Sequence, residues 1–127
     1  LVRVAKWLIR TFTTDAGGKP VDDWIRSLDP AARAELAWTI ELLKRHGIEL
    51  GMPYVRSLGD GLWELRAREA DGIYRILYFH WKGRTFGLLH GFTKKTQATP
   101  KRELDMARTR RARWLGRQTQ EGRKRDG

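Results

Sequence analysis

Cysteine is absent from the 127 residues, which excludes disulfides and thiolate metal centres and fits a reducing compartment. Histidine occurs three times, at His46, His80 and His90, without the spacing of a ligand set, so neither a metal site nor a cofactor is expected. No apolar run approaches the roughly 20 residues needed to cross a bilayer, and the expectation is a cytoplasmic protein with no membrane partner. The opening Leu1–Arg10 alternates apolar with basic residues and lacks a small-residue cleavage site, so it reads as structure rather than as a leader. Paired carboxylates in an apolar setting, a Ser-His-Asp order and a glycine-rich phosphate loop are all missing, which leaves glycosidase and nucleotide-hydrolysing chemistry without support.

What is abundant is positive charge. The chain carries 26 Lys/Arg against 15 Asp/Glu, a formal net charge of +11. From Lys94 onward there are twelve Lys/Arg and four acids. A balance of this kind points to a polyanion or an acidic partner, or to a merely solubilising surface. A chain of this length builds one domain with one modest core. We expect that domain over residues 1–116, followed by a basic disordered tail over 117–127, where no apolar residue offers an anchor.

The apolar pattern gives an α+β order. Arg3 to Thr13 alternates as an outer strand, and Asp15-Ala16-Gly17-Gly18-Lys19-Pro20 ends it. Val21, Trp24, Ile25 and Leu28 fall on one side of a short helix. Asp29 as N-cap, Pro30 in the first turn and Gly47 after the end frame a second helix, with Ala32, Leu36, Ile40 and Leu43 as its buried stripe and Thr39 beside it. Leu62–Arg68, Ile73–Trp81 and Arg84–Thr93 read as three strands joined by Glu69-Ala70-Asp71-Gly72 and Lys82-Gly83. Thr99 and Pro100 open a last helix running to about Leu115, with Leu104, Ala107, Arg111 and Trp114 at its spaced positions.

If those two links are tight hairpins, Arg66 lies opposite Arg75 and Arg75 lies opposite His90, all on one face. Trp63, Leu65, Tyr74, Ile76, Tyr78 and Leu89 then form the other face as a floor for the helices. Facing arginines repel, and a row of them implies a bound anion. Lys94 and Lys95 follow where the last strand ends. Such cations can neutralise charge on a reacting phosphodiester, and RNA supplies its own 2′-hydroxyl nucleophile. Other readings stay open: Arg66 and Arg75 as exposed strand residues paired with Glu64 or Glu69, His90 as a structural histidine or a proton-transfer group, the two lysines as a wet strand end, and Trp81 and Trp114 as packing residues.

Leu62-Trp63-Glu64-Leu65-Arg66 and Gly91-Phe92-Thr93-Lys94-Lys95-Thr96-Gln97-Ala98-Thr99-Pro100, in this order of elements, resemble the RelE/ParE toxin superfamily and its phage-derived HigB-like branch. The likeness covers about Arg3 to Trp114. It implies a RelE-like fold, in which an N-terminal strand and two helices pack on a mostly antiparallel sheet with a basic C-terminal helix. It further implies the toxin of a type II toxin-antitoxin pair, a ribosome-dependent endoribonuclease that cleaves mRNA without a metal. The implied partners are a helix-turn-helix antitoxin, mRNA and the ribosome, with the antitoxin complex binding operator DNA. Catalytic roles fall by this resemblance on Arg66, Arg75, Lys94 and Lys95, with His90 standing where some relatives use a C-terminal tyrosine, and RNA contacts fall on Arg68, Lys101 and Arg102. The alternatives are a gyrase-directed relative without nuclease activity and a non-enzymatic RNA-binding module.

Overall fold

The computed structural model describes residues 6–93 and 98–126, with side chains as far as Arg117. Strand β1 (Leu8–Thr11) leads into helix α1 (Pro20–Arg26) and helix α2 (Pro30–His46), with a single 3-10 turn at Gly47–Glu49. Strands β2 (Val55–Gly59), β3 (Leu62–Glu69), β4 (Gly72–Lys82) and β5 (Thr85–Thr93) follow, and helix α3 (Lys101–Asp126) closes the chain. The five strands form one mixed sheet in the order β1-β5-β4-β3-β2. Only the β1–β5 pair is parallel; the other three are antiparallel.

Helices α1 and α2 cover one face. Pro20 and Pro30 start them where a missing N–H costs nothing. Asp29 occupies the cap position but its side chain makes no cap hydrogen bond. The inward stripe of α2 is Ala32, Leu36, Thr39 and Leu43, and Thr39 satisfies its buried hydroxyl by donating to the Glu35 carbonyl at 2.9 Å. Leu36 and Leu43 pack with Val21 against Leu65, Ala67, Ile76, Tyr78, Phe86 and Leu88. Gly47 ends α2 with a φ of 59°, and a Cβ there would lie 2.1 Å from Trp7 Nε1. Glycine is therefore required both by conformation and by space.

Helix α3 covers the opposite face, where Leu104, Ala107 and Trp114 meet Leu62, Leu77, Phe79, Leu89 and Phe92. Trp81 and Trp114 pack edge to face at 5.3 Å. The face carrying the arginine row is thus itself a covered layer. Beyond Gly116, where an irregular tail is expected, the backbone stays helical to Asp126. Arg, Lys, Gln and Glu are good helix formers, and Arg117 fastens the last described turn by donating to the Thr13 carbonyl at 2.6 Å and to Asp15 at 2.5 Å.

Three further differences from the sequence reading concern β2, the hairpin register and Leu89. Strand β2 is not among the strands expected from sequence; it turns into β3 at Asp60-Gly61, a hairpin turn signal, and both residues take positive φ. Arg66 does face Arg75, but Arg75 faces Phe92, and His90 faces Leu77. The hairpin closes at Lys82 and Thr85, and irregularities between Leu77/Tyr78 and His80/Lys82 displace the pairing. Because the net displacement is two residues, His90 keeps its face. The bulge leaves Leu89 unpaired between Leu88 and His90, and it turns into the α3 layer instead of the floor of α1 and α2.

Gly91 on β5 is set by Trp24 of α1: a Cβ at this position would lie 2.2 Å from the indole ring. Gly91→Ala is expected to cost about 1–3 kcal/mol by overpacking. Gly51→Ala, where a Cβ meets open space, is expected to stay within about 0.5 kcal/mol of the parent. Urea unfolding of the two variants checks the pair, and equal effects would show that Trp24 does not constrain β5.

Candidate active site

Glu64 is the centre around which the cations gather. It points from β3 into the α3 layer and is fully buried, a position a carboxylate tolerates only with charge partners. Arg66 Nε lies 3.4 Å from Glu64 Oε1, Arg56 3.7 Å from the same oxygen, and Arg75 3.6 Å from Oε2. At these separations the three guanidiniums act on Glu64 as charges more than as hydrogen-bond donors. The short hydrogen bond comes from Thr99, whose Oγ1 donates to Oε2 at 2.5 Å and accepts from Arg56 at 3.1 Å. Thr99 thereby ties the approach to α3 onto β3 and β2.

Local structure explains this convergence. Arg66 and Arg75 are direct cross-strand partners, and Arg56 is the partner of Glu64 in the β2–β3 ladder. Facing residues share a side of the sheet, so four charged groups from three strands are forced together. Among the described residues, one carboxylate faces three guanidiniums. Burial pushes Arg75 below the usual guanidinium range, Glu64 opposes that shift, and Arg66, Arg56 and Arg68 reinforce it by like-charge repulsion.

The site residues expected from sequence are distributed as follows. Arg66 and Arg75 are brought together, but both are buried rather than exposed on an open row. His90 lies further along β5, stacked on Phe92 at 5.7 Å. Arg110 NH1 approaches its Nδ1 at 3.2 Å, and Nε2 lies 3.4 Å from Glu103 Oε1. Since guanidinium can only donate, Nδ1 accepts and the ring proton sits on Nε2, toward Glu103. His90 therefore bridges β5 and α3 as a neutral ring. Burial, with Arg110 assisting and Glu103 opposing, holds its pKa below the usual imidazole value.

Lys94 and Lys95 lie outside the described residues. Arg68 is exposed and borders, with Arg66, Tyr54, Pro53 and Glu35, a depression of about 110 Å³. Lys101 and Arg102 are exposed on the first turn of α3, near Asp105 at 2.9 Å and Glu103 at 3.7 Å respectively. Sequence reasoning missed Arg56 and Thr99 as members of the cluster, and treated Glu64 only as a possible surface partner of Arg66 and Arg75. The signal for Arg56 was the strand it belongs to. Among the described residues no three His, Cys, Asp or Glu side chains converge as a metal-ligand group.

A mixed five-stranded sheet between a helix pair and a basic C-terminal helix, with guanidiniums from three strands gathered at the Glu of Leu-Trp-Glu-Leu-Arg, is the architecture of RelE/HigB-type proteins. Residues 23–112 match the family model described as Phage derived protein Gp49-like, and the chain belongs to that family. It is similar to a protein named "Probable endoribonuclease HigB1" from Mycobacterium tuberculosis, in strain CDC 1551 / Oshkosh and in strain ATCC 25618 / H37Rv. Each likeness is 31% identity over 105 residues, covering 81% of this chain and 81% of the relative.

Two outcomes test this geometry. Glu64→Gln removes the only carboxylate described among three guanidiniums and is expected to lower unfolding free energy by about 3–5 kcal/mol. Pairing it with Arg75→Met should recover part of that loss in a double-mutant cycle, and a Glu64→Gln chain as stable as the parent would refute the cluster's structural role. For His90, the folded chain takes up a proton less readily than the unfolded chain, whose imidazole titrates near 6.5. Between the depressed folded value and 6.5 the unfolded chain holds more protons, so stability falls as pH drops through that window and is not regained below it. Denaturant midpoints at pH 7.5 and 5.5 should differ less in His90→Gln than in the parent.

Proposed function

We propose that this chain is the toxin of a type II toxin-antitoxin pair and acts as a metal-independent endoribonuclease on mRNA in the ribosome. The observation that carries the reading is the surplus of cations: three guanidiniums crowd one buried carboxylate within 3.4–3.7 Å. Lys94 and Lys95 stand in the short sequence between Thr93, the end of β5, and Thr99, which contacts Glu64. A site of this composition suits an anion that gains charge in the transition state. The name of the Mycobacterium tuberculosis relatives, an endoribonuclease, supports the same reaction class.

The reaction is an in-line displacement. The 2′-oxygen forms a bond to the adjacent phosphorus while the bond from phosphorus to the 5′-oxygen breaks. Water takes the hydroxyl proton and returns one to the departing oxygen, leaving a cyclic phosphate and a 5′-hydroxyl with no net proton consumed. In this reading Lys94 and Lys95 contact the phosphate. Arg66 and Arg75 supply the positive field behind it, where low polarisability keeps that field strong. Arg68, Lys101 and Arg102 hold the RNA backbone on either side. His90, with Arg110 at Nδ1 and Glu103 3.4 Å from Nε2, keeps α3 seated on β5. The remaining partners are a helix-turn-helix antitoxin and, through it, operator DNA, with the reaction placed in the cytoplasm.

Expression in a bacterial host is expected to arrest growth and to produce new 5′ ends within translated mRNAs. The Lys94→Ala/Lys95→Ala double variant should lose both effects while retaining the parent's unfolding midpoint. Ribosome or RNA binding should weaken steeply as salt rises. Loss of supercoiling with translation intact would instead identify a gyrase-directed toxin, and tight RNA binding without new ends would identify a binding module.

A further inference from the structure

The three guanidiniums around Glu64 are not equally accessible. The side chains of Arg75 and Arg66 are 0% and 5% exposed, so neither can present a donor to a molecule arriving from solvent. That of Arg56 is 35% exposed. Arg56 also stands on β2, an edge strand of the sheet that the described residues form. Its position is held from two sides, by the Glu64 charge at 3.7 Å and by the Thr99 hydroxyl at 3.1 Å, and Thr99 is itself fixed by its 2.5 Å bond to Glu64.

We propose that Arg56 is the catalytic guanidinium of the cluster, the one that touches the scissile phosphate. The inference rests on the reading of the chain as an RNA-cleaving toxin and adds to Lys94 and Lys95 a guanidinium in direct contact. A guanidinium presents several N–H donors in one plane and matches two phosphate oxygens at once. It moves no proton here. It donates to the non-bridging oxygens as negative charge builds on them, while Glu64 and Thr99 fix its plane. Glu64 and Thr99 are thus positioning residues for Arg56. Of the three guanidiniums around Glu64, Arg56 is the most exposed, and it is the one that solvent and a ligand can reach.

The test uses the purified full chain with single-turnover cleavage of ribosome-bound mRNA. A second measurement follows binding of a fluorescent 2′-deoxy-substituted oligonucleotide, which cannot be cleaved, over a series of salt concentrations. Arg56→Gln is expected to slow cleavage by about 10²–10³-fold and to reduce the slope of log affinity against log salt by about one. Its unfolding midpoint should remain near the parent's. Arg56→Lys, which keeps the charge beside Glu64 but not the planar fork, should retain the binding slope and still cleave slowly. Parental cleavage rates in both variants would overturn the proposal, and if Arg56→Gln fails to fold, a parental rate in Arg56→Lys does so alone. If the parent itself cleaves nothing, the toxin reading falls, and the oligonucleotide then decides: a reduced slope in Arg56→Gln preserves the phosphate contact, and an unchanged slope removes it.

Discussion

A single buried carboxylate, Glu64, sets the terms for this molecule. Without it, Arg66 and Arg75 would face each other across β3 and β4, in a layer covered by α3, with the carboxylate described beside them gone, an arrangement that desolvation makes costly. With it, the described cluster sets one carboxylate against three guanidiniums. The interaction that makes the arginines tolerable inside the fold also brings them together from three strands.

The two faces of the sheet divide the labour. On one, α1 and α2 bury an ordinary apolar layer in which Trp24 sits against Gly91 and Trp7 against Gly47. On the other, α3 is seated through a mixture of apolar contacts and directed polar ones: Thr99 to Glu64, Arg110 to the Leu89 carbonyl and His90, Arg111 to Asp60, and Arg113 and Arg117 to Asp15. Many of these ties are charge-assisted and lie near the surface, where each is worth little alone. Their number, spread along the helix, fixes its axis over the sheet and so fixes where Thr99 meets the cluster.

Much of this was legible in the residues. Pro30 and Gly47 mark the ends of α2, and alternating aromatic and β-branched residues mark β3, β4 and β5, because these signals act within a few residues of themselves. Arg66 opposite Arg75 follows from one tight loop. His90 opposite Arg75 does not, since the second hairpin closes one residue later and carries bulges whose positions depend on how Leu89 and Phe79 fill the space under α3. Strand β2 is short and half polar, so its periodicity is weak, and with it Arg56 escaped notice.

By itself the sequence determined the α+β order, the positions of most helix and strand ends, the single face shared by Arg66, Arg75 and His90, and the excess of positive charge, all of which arise from local geometry and composition. Only the tertiary structure decided that Glu64 is buried among three guanidiniums, that His90 stands between Glu103 and Arg110, and that Arg56 is the most exposed of those three guanidiniums. Those outcomes depend on burial and on partners far along the chain, such as Thr99, 35 residues from Glu64 and 43 from Arg56. Desolvation is a property of everything that packs around a group, and no window of sequence contains it.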